Sequence, residues 1–91
     1  MKIINNKNKN RFEVEIDGNT AYLEYIPRQN HIVIFDIEVP KFLEGQGIGI
    51  ELMKYCIKYA RDNKLKVFPM HSLMSKYMSN NQNTHDLLLI K

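Results

Sequence analysis

Three glycines at alternate positions, Gly45, Gly47 and Gly49, stand between an apolar run over residues 32–39 and a helical pattern over 48–62. Lacking a Cβ, these positions can take positive φ and turn several backbone N–H groups toward one point. The helix that follows adds unpaired N–H groups and the positive end of its dipole. Together they make an anion site, most naturally for phosphate or pyrophosphate. The dinucleotide fingerprint is excluded, because Ile50 stands where its third glycine belongs, and so is the Walker loop, which needs Lys-Ser/Thr after its glycine. A structural turn with no ligand is the plain alternative, but a tight turn seldom needs three glycines.

The side chains that could move a proton are few. Glu38, one residue before the strand end at Val39, could accept a proton from an ammonium group directly or through water; a solvated strand-end charge is the competing reading. His71 follows Pro69 and could act as base or acid, against a helix-entry histidine. Asp36 with His31 could frame an acidic rim for an amine. Tyr77, spaced with Leu73 and Met74, reads as core before it reads as an acid. Cys56 lies among the apolar positions of the helix and reads as a small core residue. The three histidines have no metal-ligand spacing, so no metal site is expected.

The elements that would position these residues are legible in outline. Residues 5–10 are polar and rich in Asn and Lys, a loose lead-in. Phe12, Val14 and Ile16 alternate with Glu13 and Glu15 as a half-buried strand. Asp17-Gly18 signals a hairpin, with Asn19 extending the loop. Ala21, Leu23 and Tyr25 form one face of a second strand, closed by a turn at residues 27–30. In the third, Ile32, Ile34, Asp36 and Glu38 are expected on one face and Val33, Phe35, Ile37 and Val39 on the other. Three strands on short turns make an antiparallel meander.

From Ile48 the period lengthens. Ile48, Leu52, Met53, Cys56, Ile57 and Ala60 share a helix face, and Glu51/Lys54 and Lys58/Asp62 are placed for surface pairs. Residues 65–68 form a short strand cut off by Pro69, parallel to residues 32–39 in a right-handed βαβ unit. Ser72 is expected to cap a second short helix over 73–80, with Leu73, Met74, Tyr77 and Met78 inward, followed by a loop over 79–84. Residues 87–90 add a last strand or pack on the core. The fold class is therefore α/β (α+β), a meander followed by a βαβ unit and a short C-terminal helix, in one domain over residues 1–91.

Glu44-Gly45-Gln46-Gly47-Ile48-Gly49 resembles the pyrophosphate-binding motif of GNAT acyltransferases, Arg/Gln-x-x-Gly-x-Gly/Ala. With Glu38-Val39-Pro40 before it and Leu65-Lys66-Val67-Phe68-Pro69 after the helix, the chain resembles the small single-domain GNAT proteins over residues 11–85. The resemblance implies a compact GNAT fold and acetyl-CoA as co-substrate. Its pyrophosphate would lie on Gly45, Gln46, Gly47, Ile48 and Gly49, and its pantetheine along the strand edge at Val39. It also implies a splayed gap between that strand and residues 65–68, where the acyl group would sit. Three positions depart from the pattern: Glu44 replaces Arg or Gln, Asp36-Ile37 replaces His-Thr, and His71 stands where a cysteine is common.

Composition sets the outer limits. Thirteen Lys and Arg against ten Asp and Glu give a dispersed net charge of +3, a poor footprint for nucleic acid. A single cysteine rules out an internal disulfide and fits a reducing compartment. No apolar run is long enough for a membrane span and no signal peptide is evident, so a cytoplasmic protein is expected. The leading expectation is an acetyl-CoA-dependent N-acetyltransferase acting on a primary amine by direct attack, with Glu38 or His71 as the proton acceptor. The alternative is an acyl-CoA-binding module with little or no catalysis, a sensor or docking protein. The amine partner is a small molecule or a protein lysine or terminus, and the chain is a monomer or homodimer.

Overall fold

A computed structural model describes residues 1–90. Its five strands and two α-helices run β1 (Ile4–Asn6), β2 (Arg11–Ile16), β3 (Asn19–Pro27), β4 (His31–Glu38), α1 (Ile48–Asp62), β5 (Lys66–Pro69) and α2 (Ser72–Asn80). A short 3-10 turn, Lys41–Leu43, precedes α1, and a second, Gln82–Leu87, follows α2. The strands form one sheet in the order β1-β2-β3-β4-β5. The first three contacts are antiparallel and β4 with β5 is parallel, as the meander and βαβ readings require.

The hairpin between β2 and β3 turns on Asp17 and Gly18, with φ of 51° and 77°. Asn19 is already paired with Ile16, so it begins the strand rather than lengthening the loop. The expected lead-in also proves structured at its start. Ile4, Asn5 and Asn6 pair with Glu13, Phe12 and Arg11, and the Tyr25 hydroxyl donates to Asn5 Oδ1 at 2.7 Å. The polar side chains that suggested a loop there meet partners supplied by distant strands.

α1 lies across the sheet with Ile48, Leu52, Met53, Cys56 and Ala60 buried and Ile57 half-buried. Each fully buried Leu or Ile of such a stripe stabilises by about 1.5–3 kcal/mol. Phe12 is wholly buried and stacks on Tyr25 at 4.6 Å between centroids, with Tyr55 and Tyr59 tilted against it at 5.2 and 5.1 Å. On the solvent side, Glu51 pairs with Lys54 at 3.6 Å and Lys58 with Asp62 at 2.8 Å. The helix ends at Asn63, and Lys64 takes a left-handed φ of 57°.

Two expectations about faces and caps are corrected. The pairing of β3 with β4 slips between Glu24 and Tyr25: Glu24 faces Asp36, Tyr25 faces Ile34, and Phe35 is the extra residue of a bulge. A bulge reverses the alternation beyond it. Ile37 therefore joins Ile32 and Ile34 toward the helices, while Asp36 and Glu38 share the outer face with Val33. At α2 the cap is His71, whose Nδ1 accepts from the Leu73 N–H at 3.1 Å, and Ser72 is the first helical residue. Met74 and Met78 are buried as expected, Tyr77 is half-buried, and Leu73 is 45% exposed.

The expected loop over 79–84 is largely helical, since α2 runs to Asn80 and the 3-10 helix starts at Gln82. Thr84 is buried there and donates to Asn81 O at 2.7 Å. Arg61 holds this segment to α1 through Asp86 at 2.7 Å and Asn83 O at 2.9 Å. Beyond it, Leu88 bridges to Val67 in parallel, and the Leu89 N–H donates to Val67 O at 2.8 Å.

Candidate functional site

The chain leaves β4 at Glu38, passes Val39 and Pro40, and buries Leu43 from the short 3-10 turn. Leu43 anchors the loop, and the exposed residues 44–47 lead from it into the start of α1. Gly45 and Gly47 have φ of 83° and 78°, a region that side chains with a Cβ rarely adopt. Gly49 differs: it lies inside the helix, and a Cβ there would meet Val39 Cγ2 at 3.8 Å, an ordinary contact. The expectation of positive φ therefore holds for two of the three glycines, and the third is helical with room for a methyl group.

Gly47 caps α1 with no side-chain hydrogen bond, and the first helical bond runs from the Glu51 N–H to Gly47 O at 3.0 Å. The N–H groups of Ile48, Gly49 and Ile50 thus have no intrahelical acceptor and emerge at the positive end of the dipole. The site also contains an opposing charge. Glu44 is exposed and lines the same cavity, so its carboxylate disfavours an anion that the backbone favours.

A groove of about 550 Å³ runs from this loop across the start of α1 to α2. Val39, Gly45, Gly47, Ile48 and Gly49 line it together, with Ile37, Leu43, Ile50, Met53 and Leu73 completing the walls. Gln46 is exposed in the loop but does not line the groove. The sheet opens beside it. β4 and β5 pair only from His31/Lys66 to Ile34/Pro69, after which the His71 N–H donates to Ile34 O at 2.9 Å and the chain turns into α2. From Phe35 onward the β4 edge has no strand beside it, which is the gap between these strands.

The titratable residues are divided between two faces. Glu38 is exposed, opposite Tyr22 on the outer face, and does not line the groove. Asp36 is its neighbour there and accepts from the Tyr22 hydroxyl at 3.4 Å. Burial, and then the Asp36 carboxylate, push the Tyr22 phenol above its ordinary value, so it stays protonated. The Arg11 guanidinium sits 3.8 Å above the Tyr22 ring. His71 is tied into the α2 cap: in the neutral form, Nδ1 accepts from Leu73 and the proton sits on Nε2.

The other side chains weighed from the sequence lie elsewhere. His31 is five residues from Asp36, roughly 16 Å along the strand, and contacts Asn30, so the two frame no common rim. Tyr77 faces the polar cleft between α1 and the residues after α2, away from the groove. Cys56 is fully buried, and burial pushes its thiol far above the range of a nucleophile. Among the described residues no group of three or more His, Cys, Asp or Glu could hold a metal ion. No helix among them is long and apolar enough to cross a membrane.

Comparison with known proteins decides the family. The model of the GCN5-related N-acetyltransferases matches residues 11–87, most of the chain. The chain belongs to the GCN5-related N-acetyltransferase (GNAT) family. The GNAT fold is shown independently by the solution NMR structure of a GCN5-like protein from Staphylococcus aureus. That structure is 28% identical over 97% of this chain and 87% of its own, with a TM-score of 0.76. No curated protein matches the sequence.

Within this GNAT chain, three features of the site were not read from the sequence. Tyr22 is 14 residues from Asp36, and only strand pairing joins them. Leu73 reaches the groove because α2 starts directly after β5. The bulge at Phe35 depends on the β3 register, which no property of β4 alone reveals. The one hint within β4 is that the set Ile32, Ile34, Asp36 and Glu38 turns from apolar to acidic.

Proposed function

We propose that this GNAT protein is an acetyl-CoA-dependent N-acetyltransferase acting on a primary amine by direct attack. The observation that carries the reading is one continuous groove, with the glycine loop and helix start at one end and an unpaired strand edge at the other. Loop N–H groups of Gly45, Gln46 and Gly47, and those of Ile48 and Gly49, would hold the diphosphate. The open edge of β4 near Val39 would pair with the pantetheine amides, and a backbone N–H there would polarise the thioester carbonyl.

In the reaction the amine nitrogen bonds to the carbonyl carbon as the carbon–sulfur bond breaks. The substrate ammonium loses two protons overall. One passes through water to Glu38 on the outer face, and the other ends on the departing thiolate. His71, with Nδ1 engaged and a proton on Nε2, has no free ring nitrogen to accept from the amine; its Nε2–H would donate a hydrogen bond to the departing thiolate, whose proton comes from the substrate nitrogen. Holding donor and acceptor together accounts for the rest of the rate enhancement.

The alternative, an acyl-CoA-binding module with little or no catalysis, draws support from the Glu44 carboxylate in the groove and from the capping role of His71. Two measurements separate the readings. Calorimetric titration with acetyl-CoA should give binding in wild type that is lost in Gly47→Asp. Amine-dependent release of free thiol should fall in Glu38→Gln while binding survives. Binding without amine-dependent release would leave the module, and no binding at millimolar acetyl-CoA would sink both.

A further inference from the structure

Asp36 and Glu38 share the outer face of β4, where the sheet opens beside its last residues. Both helices pack on the other face, since Met53 and Cys56 of α1 and Met74 and Met78 of α2 belong to one core with Ile34 and Ile37. Strand pairing sets Asp36 beside Glu24 and Glu38 beside Tyr22. The Arg11 guanidinium is engaged with Glu24, Nε to Oε1 3.8 Å, and lies 3.8 Å above the Tyr22 ring. Among the described residues no Lys or Arg comes within ion-pair distance of Asp36 or Glu38.

The two carboxylates are held differently. Asp36 is half-buried, and its Oδ2 accepts from the Tyr22 hydroxyl at 3.4 Å. Glu38 is exposed at the end of the strand. Two residues apart on one face, they stand roughly 7 Å from one another along β4. An ammonium group between them is within reach of both.

We infer that Asp36 binds the ammonium form of the acceptor and that Tyr22 is the positioning residue that fixes its carboxylate, leaving Glu38 to take the proton. The inference rests on the proposed acyltransferase reading and names the residues that select its acceptor. Holding the amine and deprotonating it thus fall to separate carboxylates. The charged groups around Asp36 are Glu24 and Arg11 on the neighbouring strands and Glu38 on its own. Three carboxylates against one guanidinium give a local field that favours a cation. From Phe35 onward no strand lies beside β4, so an acceptor held at Asp36 meets at that edge a donor that arrives from the groove.

The test is steady-state acetyl transfer from acetyl-CoA to n-butylamine, a cation at neutral pH, and to hydroxylamine, which is uncharged there. Asp36→Asn keeps the shape of a partly exposed side chain, and Tyr22→Phe keeps the ring under Arg11, so both should fold as wild type does by circular dichroism. Asp36→Asn should raise KM for butylamine about tenfold, the loss of one solvent-accessible charged contact. Its kcat, its use of hydroxylamine and its calorimetric affinity for acetyl-CoA should stay near those of wild type. Tyr22→Phe should raise the same KM about threefold, and should add nothing in an Asp36→Asn background. Glu38→Gln should instead lower kcat for butylamine.

An unchanged KM for butylamine in Asp36→Asn, or equal losses with both amines, would overturn the assignment and leave the acyltransferase reading intact. A Tyr22→Phe effect that persists without Asp36 would overturn its positioning role. Acetyl-CoA bound by wild type with no transfer to either amine would overturn the acyltransferase reading, and this inference with it.

Discussion

Replacing Gly47 and Gly49 separately by alanine should move stability in opposite directions, although the two are separated by only one residue. Gly47 caps α1 at φ 78° and ψ 12°. A Cβ there meets nothing within 4 Å, so the cost is purely that of the backbone conformation. A left-handed L-residue costs roughly 1–2 kcal/mol, reduced by the roughly 0.4–1 kcal/mol that alanine gains by restricting the unfolded chain. Gly47→Ala should therefore lose about 1 kcal/mol. Gly49 is already helical, and its added methyl would lie 3.8 Å from Val39 Cγ2 without displacing it. The better helix propensity of alanine should stabilise by about 0.5 kcal/mol in a first turn. A gap of about 1.5 kcal/mol corresponds to roughly 6–12 °C in Tm for a domain of this size. Circular dichroism through a thermal ramp, repeated in urea, measures it. A Gly47→Ala protein as stable as wild type, or a Gly49→Ala protein less stable than Gly47→Ala, would refute the conformational account of the loop.

Two other perturbations test elements that hold the site. His71→Ala removes the N-cap of α2 and should cost about 1 kcal/mol, with faster hydrogen exchange at the Leu73 amide; His71→Asn, which can still accept that bond, should recover most of it. The Asp86 carboxylate is held below its ordinary value of 3.8, first by its hydrogen bond from Arg61. Its folded value is lower than its unfolded one, so its contribution is complete above the unfolded value and is lost as pH falls through the folded one. Both side chains are exposed, so the effect is small, and Arg61→Gln should flatten the acid limb of a plot of Tm against pH. An unchanged acid limb would show that the pair does not fasten the C-terminal segment.

Much of this protein is determined by neighbours in the chain. The bounds of α1 follow from a 3.6-residue apolar period that starts at Ile48, directly after Gly47, and ends at Ala60, just before the cap at Asn63. The β2–β3 hairpin follows from Asp17-Gly18, whose backbone tolerates the turn. The order strand, helix, strand required β5 to lie parallel beside β4. The glycine loop leading into α1 was legible for the same reason, since glycine spacing and helix start are local properties. Only the tertiary structure decided what that loop faces. The polar residues of β1 became a strand because Arg11, Phe12 and Glu13 offered an edge, and because Tyr25 offered a hydroxyl. The bulge at Phe35 arose from pairing with β3, and it moved Asp36 and Glu38 to the face opposite the groove. Periodicity within β4 predicts a face only when the alternation is unbroken, and where it breaks is settled by the neighbouring strand. His71 likewise became a cap rather than a free base because the carbonyl of Ile34, 37 positions earlier, fixes the backbone from which its ring reaches Leu73.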